Sequence, residues 1–307
     1  MTDQANRLRD LMNGRQTMAE KDKPTAPPRV IAISSGKGGV GKSSLAVNLA
    51  VQFAKINKRC ILVDADFSGG SAPALLGVTP RYSLLDAFEG RKEITEVLES
   101  GPLGIGLVSG GAGFSKLTGT GSGKALEDGE NIRQISYFVE KIAPLDDISD
   151  IILVDTGAGM SNQVVEFIAA SSEAVLIITP EAASITDAYA VIKRVKEQSA
   201  DLPEINVVVN RTEDKFEGDE VFGKLERACN KFLGVKLSNI GCLPTDPNLQ
   251  NAVKAKQPVS ILYPDADIVK SFEHIRDRLT DAKGEKYLTD PGFKVFMHKL
   301  IKKFNGN

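Results

Sequence analysis

The residues best suited to chemistry are concentrated in a glycine-rich segment that ends in lysine and serine, Gly36-Lys37-Gly38-Gly39-Val40-Gly41-Lys42-Ser43. Its glycines allow the backbone to wrap around a polyphosphate and to turn N–H groups toward it at the start of a helix. The ammonium of Lys42 would reach the β- and γ-phosphates, and the hydroxyl of Ser43 would ligate Mg²⁺. The predicted nucleotide contacts are Gly36, Gly38, Gly39, Val40, Gly41, Lys42, Ser43 and Ser44.

Carboxylates follow two apolar runs of the chain. Asp64 and Asp66 come after Cys60-Ile61-Leu62-Val63, and Asp155 comes after Ile151-Ile152-Leu153-Val154. Taken alone, an Asp after an apolar strand is as often a helix N-cap as a site residue. An acid facing a phosphate loop can instead hold the water shell of Mg²⁺ or orient an attacking water. We therefore expect Asp64 and Asp155 to join Ser43 at Mg²⁺, and Asp66 to be catalytic.

The elements that would position these side chains are apolar runs that alternate with helical patterns. The run Val30-Ile31-Ala32-Ile33 reads as the strand that leads into the glycine-rich segment, and Leu45 to Lys55 reads as the helix after it. Uninterrupted apolar runs predict parallel strands covered by helices on both faces, with the ligand at their carboxyl ends. The fold class predicted is α/β, a doubly wound, mostly parallel sheet. The other predicted strands are Cys60–Val63, Ile105–Val108, Ile151–Val154, Ala174–Ile178, Ile205–Val209 and Ile240–Leu243.

Composition limits the classes of protein that this chain can represent. The chain has 307 residues, 42% of them hydrophobic, and a net charge of −2. It is long enough for one large α/β domain or two small ones, and its charge balance does not favour a nucleic-acid surface. The three cysteines, Cys60, Cys229 and Cys242, are far apart and suit reduced core thiols. No apolar run is long enough to span a bilayer and no signal peptide is apparent, so we expect a cytoplasmic protein.

From about Arg29 to Ile275 the chain resembles the MinD/ParA group of deviant Walker ATPases. The resemblance rests on the second lysine of the loop, Lys37, on the Asp64-Ala65-Asp66 triplet, and on Asp155-Thr156-Gly157-Ala158-Gly159. It implies that Lys37 crosses a dimer interface to the partner's nucleotide, that Asp66 positions the lytic water, and that Asp155 to Gly159 senses the γ-phosphate. It also implies adenine recognition by Asn210, and closure over the base by the loop that contains Pro244 and Asp246.

Residues separate the branches of this group. Cluster-carrying members hold iron–sulfur clusters through paired cysteines, which this chain lacks. Partition ATPases usually continue the Asp-x-Asp triplet with Pro-Gln-Gly-Asn, whereas this chain continues with Phe67-Ser68-Gly69-Gly70-Ser71. Capsule-type tyrosine kinases carry a tyrosine cluster in the tail, and this chain has only Tyr263 and Tyr287 there. These branches are therefore disfavoured, and binding to DNA is not expected.

The C-terminal segment from Gly292 predicts an amphipathic helix with lysines on its polar side. Aromatic residues opposite a basic face favour insertion into the headgroup region of an anionic membrane. A final helix docked on the core or on a partner is the alternative. The segment Leu288 to Gly292 separates this helix from the domain like a hinge. The predicted membrane contacts are Phe293, Phe296, Met297, Leu300, Ile301 and Phe304.

The N-terminal segment predicts a short amphipathic helix followed by a proline-containing tether, Gln16 to Pro28. A mobile arm is the simplest interpretation. The segment also resembles the Asp-Gln-Ala-x-x-Leu-Arg start of the FlhG (FleN, YlxH) group, MinD-like ATPases that control flagellar number and placement. That resemblance implies stimulation of the signal-recognition-particle-type GTPase FlhF, with Gln4 as the most important residue. The predicted partner contacts are Asp3, Gln4, Leu8 and Arg9.

The sequence thus predicts three parts: an activating arm with its tether (1–28), an ATPase domain (29–283), and a hinge with the amphipathic helix (284–307). We expect slow hydrolysis of ATP with Mg²⁺, a homodimer in the ATP-bound state, and peripheral binding to lipids of the inner membrane. Two tails acting together would raise membrane affinity by roughly 10²- to 10⁴-fold. Expected partners are an FlhF-type GTPase and flagellar switch or basal-body components. A division-site regulator and a DNA-partitioning ATPase remain alternatives.

Overall fold

A computed structural model describes residues 24, 26–66, 70–110, 137–199, 202–281 and 292–304. Several sequence predictions lie outside these residues and stay predictions. They concern the N-terminal arm with Asp3, Gln4, Leu8 and Arg9, and the hinge from Leu288 to Pro291. The side chain of Phe304 is also outside the described set.

The described residues form an eight-stranded sheet in the order β3-β4-β2-β5-β1-β6-β7-β8. Every pairing is parallel except that of β3 with β4, which is a two-residue antiparallel edge that the sequence did not predict. The strands are β1 (Arg29–Ser35), β2 (Cys60–Ala65), β3 (Glu99–Ser100), β4 (Gly106–Ser109), β5 (Ile151–Ala158), β6 (Glu173–Ile178), β7 (Glu204–Thr212) and β8 (Ser238–Pro244).

Helices cover both faces of this sheet, which confirms the predicted fold class. All six residues of β2 and of β6 are buried, as expected when an uninterrupted apolar strand has helices on both sides. The helices are α1 (Lys42–Lys55), α2 (Ala72–Leu76), α3 (Leu84–Phe88), α4 (Ile94–Val97), α5 (Pro144–Ile148), α6 (Asn162–Ala170), α7 (Ala182–Gln198), α8 (Lys215–Leu233), α9 (Pro247–Lys254), α10 (Val259–Leu262), α11 (Asp267–Asp281) and α12 (Gly292–Phe304). Residues 102–104 form a 3₁₀ turn, and residues 137–142 are helical.

Strand order explains why the polar residues meet at one edge. Strand β1 lies at the centre between β5 and β6, and β2 pairs with the far side of β5. The register places Asp155 opposite both Ile33 and Asp64. Parallel strands all present their carboxyl ends to the same side, so the residues that follow β1, β2, β5, β6 and β7 converge there.

The C-terminal helix, α12, is packed against the domain. The side chains of Phe293, Phe296, Met297, Leu300 and Ile301 are buried in one hydrophobic cluster with residues of the sheet and of α5 and α6. The rings of Phe293 and Phe296 stack with their centroids 5.6 Å apart, and Phe296 also contacts Phe167 of α6 at 6.2 Å. The face predicted to enter a membrane therefore covers the protein core in this structure, which is the docked alternative.

Polar contacts hold both ends of α12. The carboxylate of Asp146 accepts hydrogen bonds from the backbone N–H groups of Phe293 (2.7 Å) and Lys294 (3.2 Å), which caps the helix from a distant part of the chain. The ammonium of Lys294 forms an ion pair with Glu140 at 2.8 Å. At the other end, Lys303 donates to the carbonyl of Gln198 at 3.4 Å. Among the described residues, no helix has both the length and the apolar character needed to cross a bilayer.

Candidate nucleotide-binding site

A cleft of about 780 Å³ opens at the carboxyl edge of the sheet, beside the glycine-rich segment. This volume lies within the usual range of about 300–1,000 Å³ for small-molecule sites. Residues 38–44 of the phosphate loop lie at one wall, and the ends of β7 and β8 lie at the other. Of the predicted site residues, the cleft is lined by Gly38, Gly39, Gly41, Lys42, Ser43, Ser44, Asp66, Asn210, Pro244 and Asp246.

Two glycines of the loop are required, Gly36 by a close contact and Gly41 by its backbone conformation. A Cβ atom at Gly36 would lie 2.5 Å from the backbone carbon of Asp187 in α7, so a larger residue would displace the loop from that helix. Gly41 has φ 98°, in the left-handed region, and is the N-cap residue of α1. The loop therefore passes directly into a helix whose first N–H groups face the cleft, which is the geometry that binds phosphate.

The loop is braced from outside by three side chains. The hydroxyl of Ser35 donates to the carbonyl of Lys37 at 2.9 Å. The amide nitrogen of Asn210 donates to the carbonyl of Val40 at 2.7 Å, and the guanidinium of Arg211 donates to the carbonyl of Gly39. Holding these carbonyl groups outward leaves the N–H groups of the loop free to face an anion.

Lys42 and Asp155 form a buried ion pair below the loop, with Nζ and Oδ1 2.6 Å apart. Burial raises the pKa of the Asp155 carboxyl, and the neighbouring ammonium of Lys42 opposes this rise. Among the described residues, Oδ2 of Asp155 has no hydrogen-bond partner. A buried carboxylate oxygen without a partner is costly, so this atom has capacity for an additional ligand.

Asp64 lies next to this pair, and burial raises the pKa of its carboxyl to about 7, with a further contribution from the negative charge of Asp155. Two crowded carboxylates and the hydroxyl of Ser43 are hard oxygen donors of the kind that Mg²⁺ prefers. A divalent cation would relieve both the crowding and the unpartnered oxygen of Asp155. The residues present therefore fit Mg²⁺, as predicted from the sequence.

Asp66 follows β2 and lines the cleft with an intermediate exposure. Its backbone N–H contacts Oδ1 of Asp64 at 3.3 Å. The structure thus brings Asp66 to the same cleft as Lys42 and Ser43, where a carboxylate could orient water. Its catalytic role stays a prediction.

Lys37 does not line the cleft of its own chain. Its ammonium forms an exposed ion pair with Glu181, which follows β6, at a distance of 2.6 Å. The pairing lowers the pKa of the Glu181 carboxyl. Sequence reasoning missed Glu181, although its position after an apolar strand is the same signal that selected Asp64 and Asp155.

Asn210 has a second role that the sequence did not predict. It was expected to contact adenine, and in the structure its amide contacts the phosphate loop. Pro244 and Asp246 lie on the same wall of the cleft, and Asp246 caps α9 through the N–H of Asn248 at 2.6 Å. The signal for Arg211 as a loop contact was its position after the end of an apolar strand, next to Asn210.

Residues 27–280 match the model of the ParA family, described as NUBPL iron-transfer P-loop NTPase. The chain belongs to the ParA family of P-loop NTPases. This membership confirms the predicted phosphate loop, with ATP and Mg²⁺ as the ligands of the site. In the described residues the three cysteines are free thiols. No cluster of three or more His, Cys, Asp and Glu side chains there could hold a metal ion, and the set that fits Mg²⁺ has two carboxylates and the Ser43 hydroxyl.

Two curated relatives are associated with flagella by name. The chain is 32% identical to the antiactivator FleN of Pseudomonas aeruginosa over 82% of this chain and 86% of FleN. It is 29% identical to the flagellum site-determining protein YlxH of Helicobacter pylori over 98% of this chain and 99% of YlxH. The similarity to YlxH therefore includes the terminal segments on both sides of the family core.

Among solved structures, the septum site-determining protein MinD of Pyrococcus horikoshii, complexed with Mg-ADP, has the same fold. The match has a TM-score of 0.64 at 21% identity and covers 84% of this chain and 98% of that protein. At this identity the likeness supports the fold alone.

Proposed function

We propose that this chain is a MinD-like ATPase that regulates flagellar number or placement through an ATP-dependent switch. The observation that carries the proposal is the similarity to YlxH over nearly the whole of both chains, combined with a cleft that is lined by Lys42, Ser43 and Asp66 and in which Lys42 pairs with the buried Asp155. FleN adds a second flagellar relative at higher identity.

The proposed reaction is in-line attack of water on the γ-phosphate of ATP. The phosphate loop binds the phosphates, and Lys42 exchanges part of its contact with Asp155 for them and offsets developing negative charge. Asp66 orients the water, and Ser43 would hold Mg²⁺ with Asp64 and Asp155 close to it. When bound, Mg²⁺ would supply positive charge that offsets the negative charge of the phosphates. Slow hydrolysis suits a switch whose ATP state must persist.

Dimerisation is proposed from the position of Lys37. Its ammonium lies outside its own cleft and is held by an exposed pair with Glu181, and such pairs contribute little. Lys37 can therefore leave Glu181 and bind a nucleotide phosphate of a second copy at a small cost in free energy. We expect Lys37→Ala to bind ATP and to remain monomeric, as measured by light scattering, whereas the Asp66→Ala variant forms an ATP-bound dimer. A dimeric Lys37→Ala variant would contradict this role.

Membrane binding requires α12 to leave the core. Burial of five large apolar side chains stabilises the docked helix by on the order of 10 kcal/mol, and an acyl-chain environment returns a similar amount. Docking on the domain and insertion into a bilayer are therefore competing uses of the same face. We propose that the ATP-bound dimer binds anionic lipids of the inner membrane through this helix.

Exposed lysines provide a test of membrane binding that does not disturb the core. We expect Lys299→Glu with Lys302→Glu to reduce sedimentation with anionic liposomes in the presence of ATP, because both ammonium groups are on the exposed side of α12. The matched control is Lys55→Glu with Lys58→Glu, an equal charge change at exposed positions on the other face of the sheet. Equal binding of both variants would remove the membrane proposal.

The flagellar role is tested by GTP hydrolysis of the host's FlhF-type GTPase with and without this chain. We expect stimulation that the Gln4→Ala variant loses while its ATP affinity is unchanged. No stimulation by the wild-type chain would contradict the GTPase as partner and make division-site regulation the next function to test. Retention on DNA only with ATP would instead favour the partition alternative.

A further inference from the structure

The carbonyl groups of the phosphate loop need hydrogen-bond donors from elsewhere in the protein. A loop that turns its N–H groups toward an anion turns its carbonyl groups away from it, and these carbonyl groups need donors of their own, above all where they are buried, as at Val40. For two consecutive residues, Gly39 and Val40, those donors come from the end of β7. The guanidinium of Arg211 serves Gly39, and the amide of Asn210 serves Val40 at 2.7 Å.

The Asn210 amide is held at both ends. Its Oδ1 accepts the backbone N–H of Arg211 at 2.8 Å while its Nδ2 donates to Val40, and the side chain is buried. Arg211 itself has φ 59°, a left-handed conformation that is uncommon for residues with a Cβ. A Cβ at Gly41 would lie 2.3 Å from Nδ2, so the loop backbone rests directly on this amide.

We propose that Asn210, held by Arg211, is a positioning residue for the phosphate loop. This role goes beyond recognition of the base and rests on the ATP-binding function proposed above. One N–H of the amide is used by Val40, and the second is available to a base in the same cleft. A single side chain then couples the base subsite to the phosphate subsite.

Inorganic tripolyphosphate separates the two roles because it carries the phosphates of ATP without a base. Asn210 is uncharged, so replacing it does not change the long-range electrostatic attraction between the protein and tripolyphosphate. We expect Asn210→Ala to weaken the binding of tripolyphosphate about tenfold, and the binding of ATP by at least the same factor, in calorimetric titrations with Mg²⁺. Amide hydrogen exchange of residues 38–41 in the ligand-free protein should also become faster in this variant.

The matched control is Asn206→Ala, the same change on the same strand. Asn206 is buried and donates to Glu173 at 3.0 Å, at the opposite end of β7 from the loop. The Asn206→Ala variant therefore shows how much of any effect comes from a general loss of stability. We expect its tripolyphosphate affinity and its exchange at residues 38–41 to match those of the wild-type protein.

Two results would overturn the proposal. Asn210→Ala could lose affinity for ATP and retain it for tripolyphosphate, which would assign Asn210 to the base alone. Alternatively, Asn206→Ala could weaken tripolyphosphate binding and accelerate amide exchange at residues 38–41 as much as Asn210→Ala does. The effect of Asn210→Ala would then be explained by a general loss of stability. If the wild-type protein bound neither compound, the ATPase function itself would be overturned, and this result is visible before any variant is measured.

Discussion

The amino and carboxyl edges of the central sheet both contain buried or partly buried ion pairs, but they differ in how completely the chain satisfies the hydrogen-bonding capacity of the carboxylates. At the amino edge, Asp150 accepts the guanidinium of Arg59 at 2.7 Å and 3.1 Å, together with the backbone N–H of Arg59. At the carboxyl edge, Asp155 binds Lys42 through one oxygen, and its other oxygen has no hydrogen-bond partner among the described residues.

The carboxylate of a second pair at the amino edge is saturated in the same way. The two carboxylate oxygens of Glu173 accept Arg29 at 2.8 Å and Asn206 at 3.0 Å. Buried charge is therefore not what distinguishes the functional edge. The distinction is coordination capacity that the chain itself leaves unused, because a metal ion or a phosphate can use it.

The largest expected effect is on hydrolysis at the carboxyl edge. Lys42→Ala should reduce ATP hydrolysis by on the order of 10³-fold, because it removes a positive charge placed at the phosphates. The free energy of unfolding should fall as well, because the buried carboxylate of Asp155 loses its partner, so hydrolysis is compared at equal folded fraction. Phosphate release and urea unfolding measure the two quantities. Hydrolysis within tenfold of wild type would contradict the comparison.

The amino edge should respond in stability alone. Glu173→Ala removes one member of a buried pair and should lower the free energy of unfolding by about 3–5 kcal/mol. The ATP affinity of the folded variant should equal that of the wild type. Glu173→Gln, which retains acceptor and shape, is the matched control and should cost less. A loss of ATP affinity at equal folded fraction would show that the two edges are not independent.

Asp146, which caps α12, is a carboxylate outside the sheet edges whose two oxygens both accept hydrogen bonds. Asp146→Ala removes two hydrogen bonds to the first turn of the helix and should destabilise docking by about 1 kcal/mol. Amide hydrogen exchange of residues 292–304 should become faster. Asp147→Ala changes an exposed neighbour and serves as the control. Equal exchange in both variants would show that Asp146 does not hold the helix.

The smallest effect concerns an unsaturated carboxylate at the same interface. Burial raises the pKa of Glu166 to about 7, although Lys303 opposes this, and its Oε2 has no hydrogen-bond partner among the described residues. Because this pKa is above the ordinary value near 4.5, the stability contribution is present below pH 4.5 and is lost as pH rises through 7.

Glu166→Gln should remove this pH dependence. Between pH 5 and pH 8 the wild-type protein should lose stability relative to the variant by about 1 kcal/mol, a value reduced from the full shift because the side chain is partly exposed. Urea unfolding at both pH values measures the difference. Parallel pH profiles of the two proteins would contradict the assignment.

Much of the fold was predictable from the sequence. Seven apolar runs became strands, because continuous apolar character leaves a strand stable only between two layers of helices. The outermost of them, β8, is the exception in burial, since only Ile240 and Leu243 of this strand are buried. The edge strand β3 was missed, since two residues, Glu99 and Ser100, carry no periodic signal. The phosphate loop was predictable because its spacing of glycines, lysine and serine is the one needed to wrap a backbone around a polyphosphate, and few other loops have that spacing.

The partners within the site were less predictable. The sequence indicated that Lys37, Lys42 and Asn210 matter, but their contacts with Glu181, Asp155 and Val40 join positions more than 100 residues apart. Strand order decides which of these ends become neighbours, and no local pattern encodes that order. The same limit explains why a loop-bracing role of Asn210 was missed.

The C-terminal helix shows where sequence and tertiary structure divide. The spacing of Phe293, Phe296 and Leu300 determined by itself that one face must leave water, because exposed apolar area of that size is unfavourable. It did not determine what covers that face, since a bilayer and a protein core satisfy the same requirement. The tertiary structure decided for the core in this conformation, by placing Phe167 and the cap of Asp146 where the helix could pack.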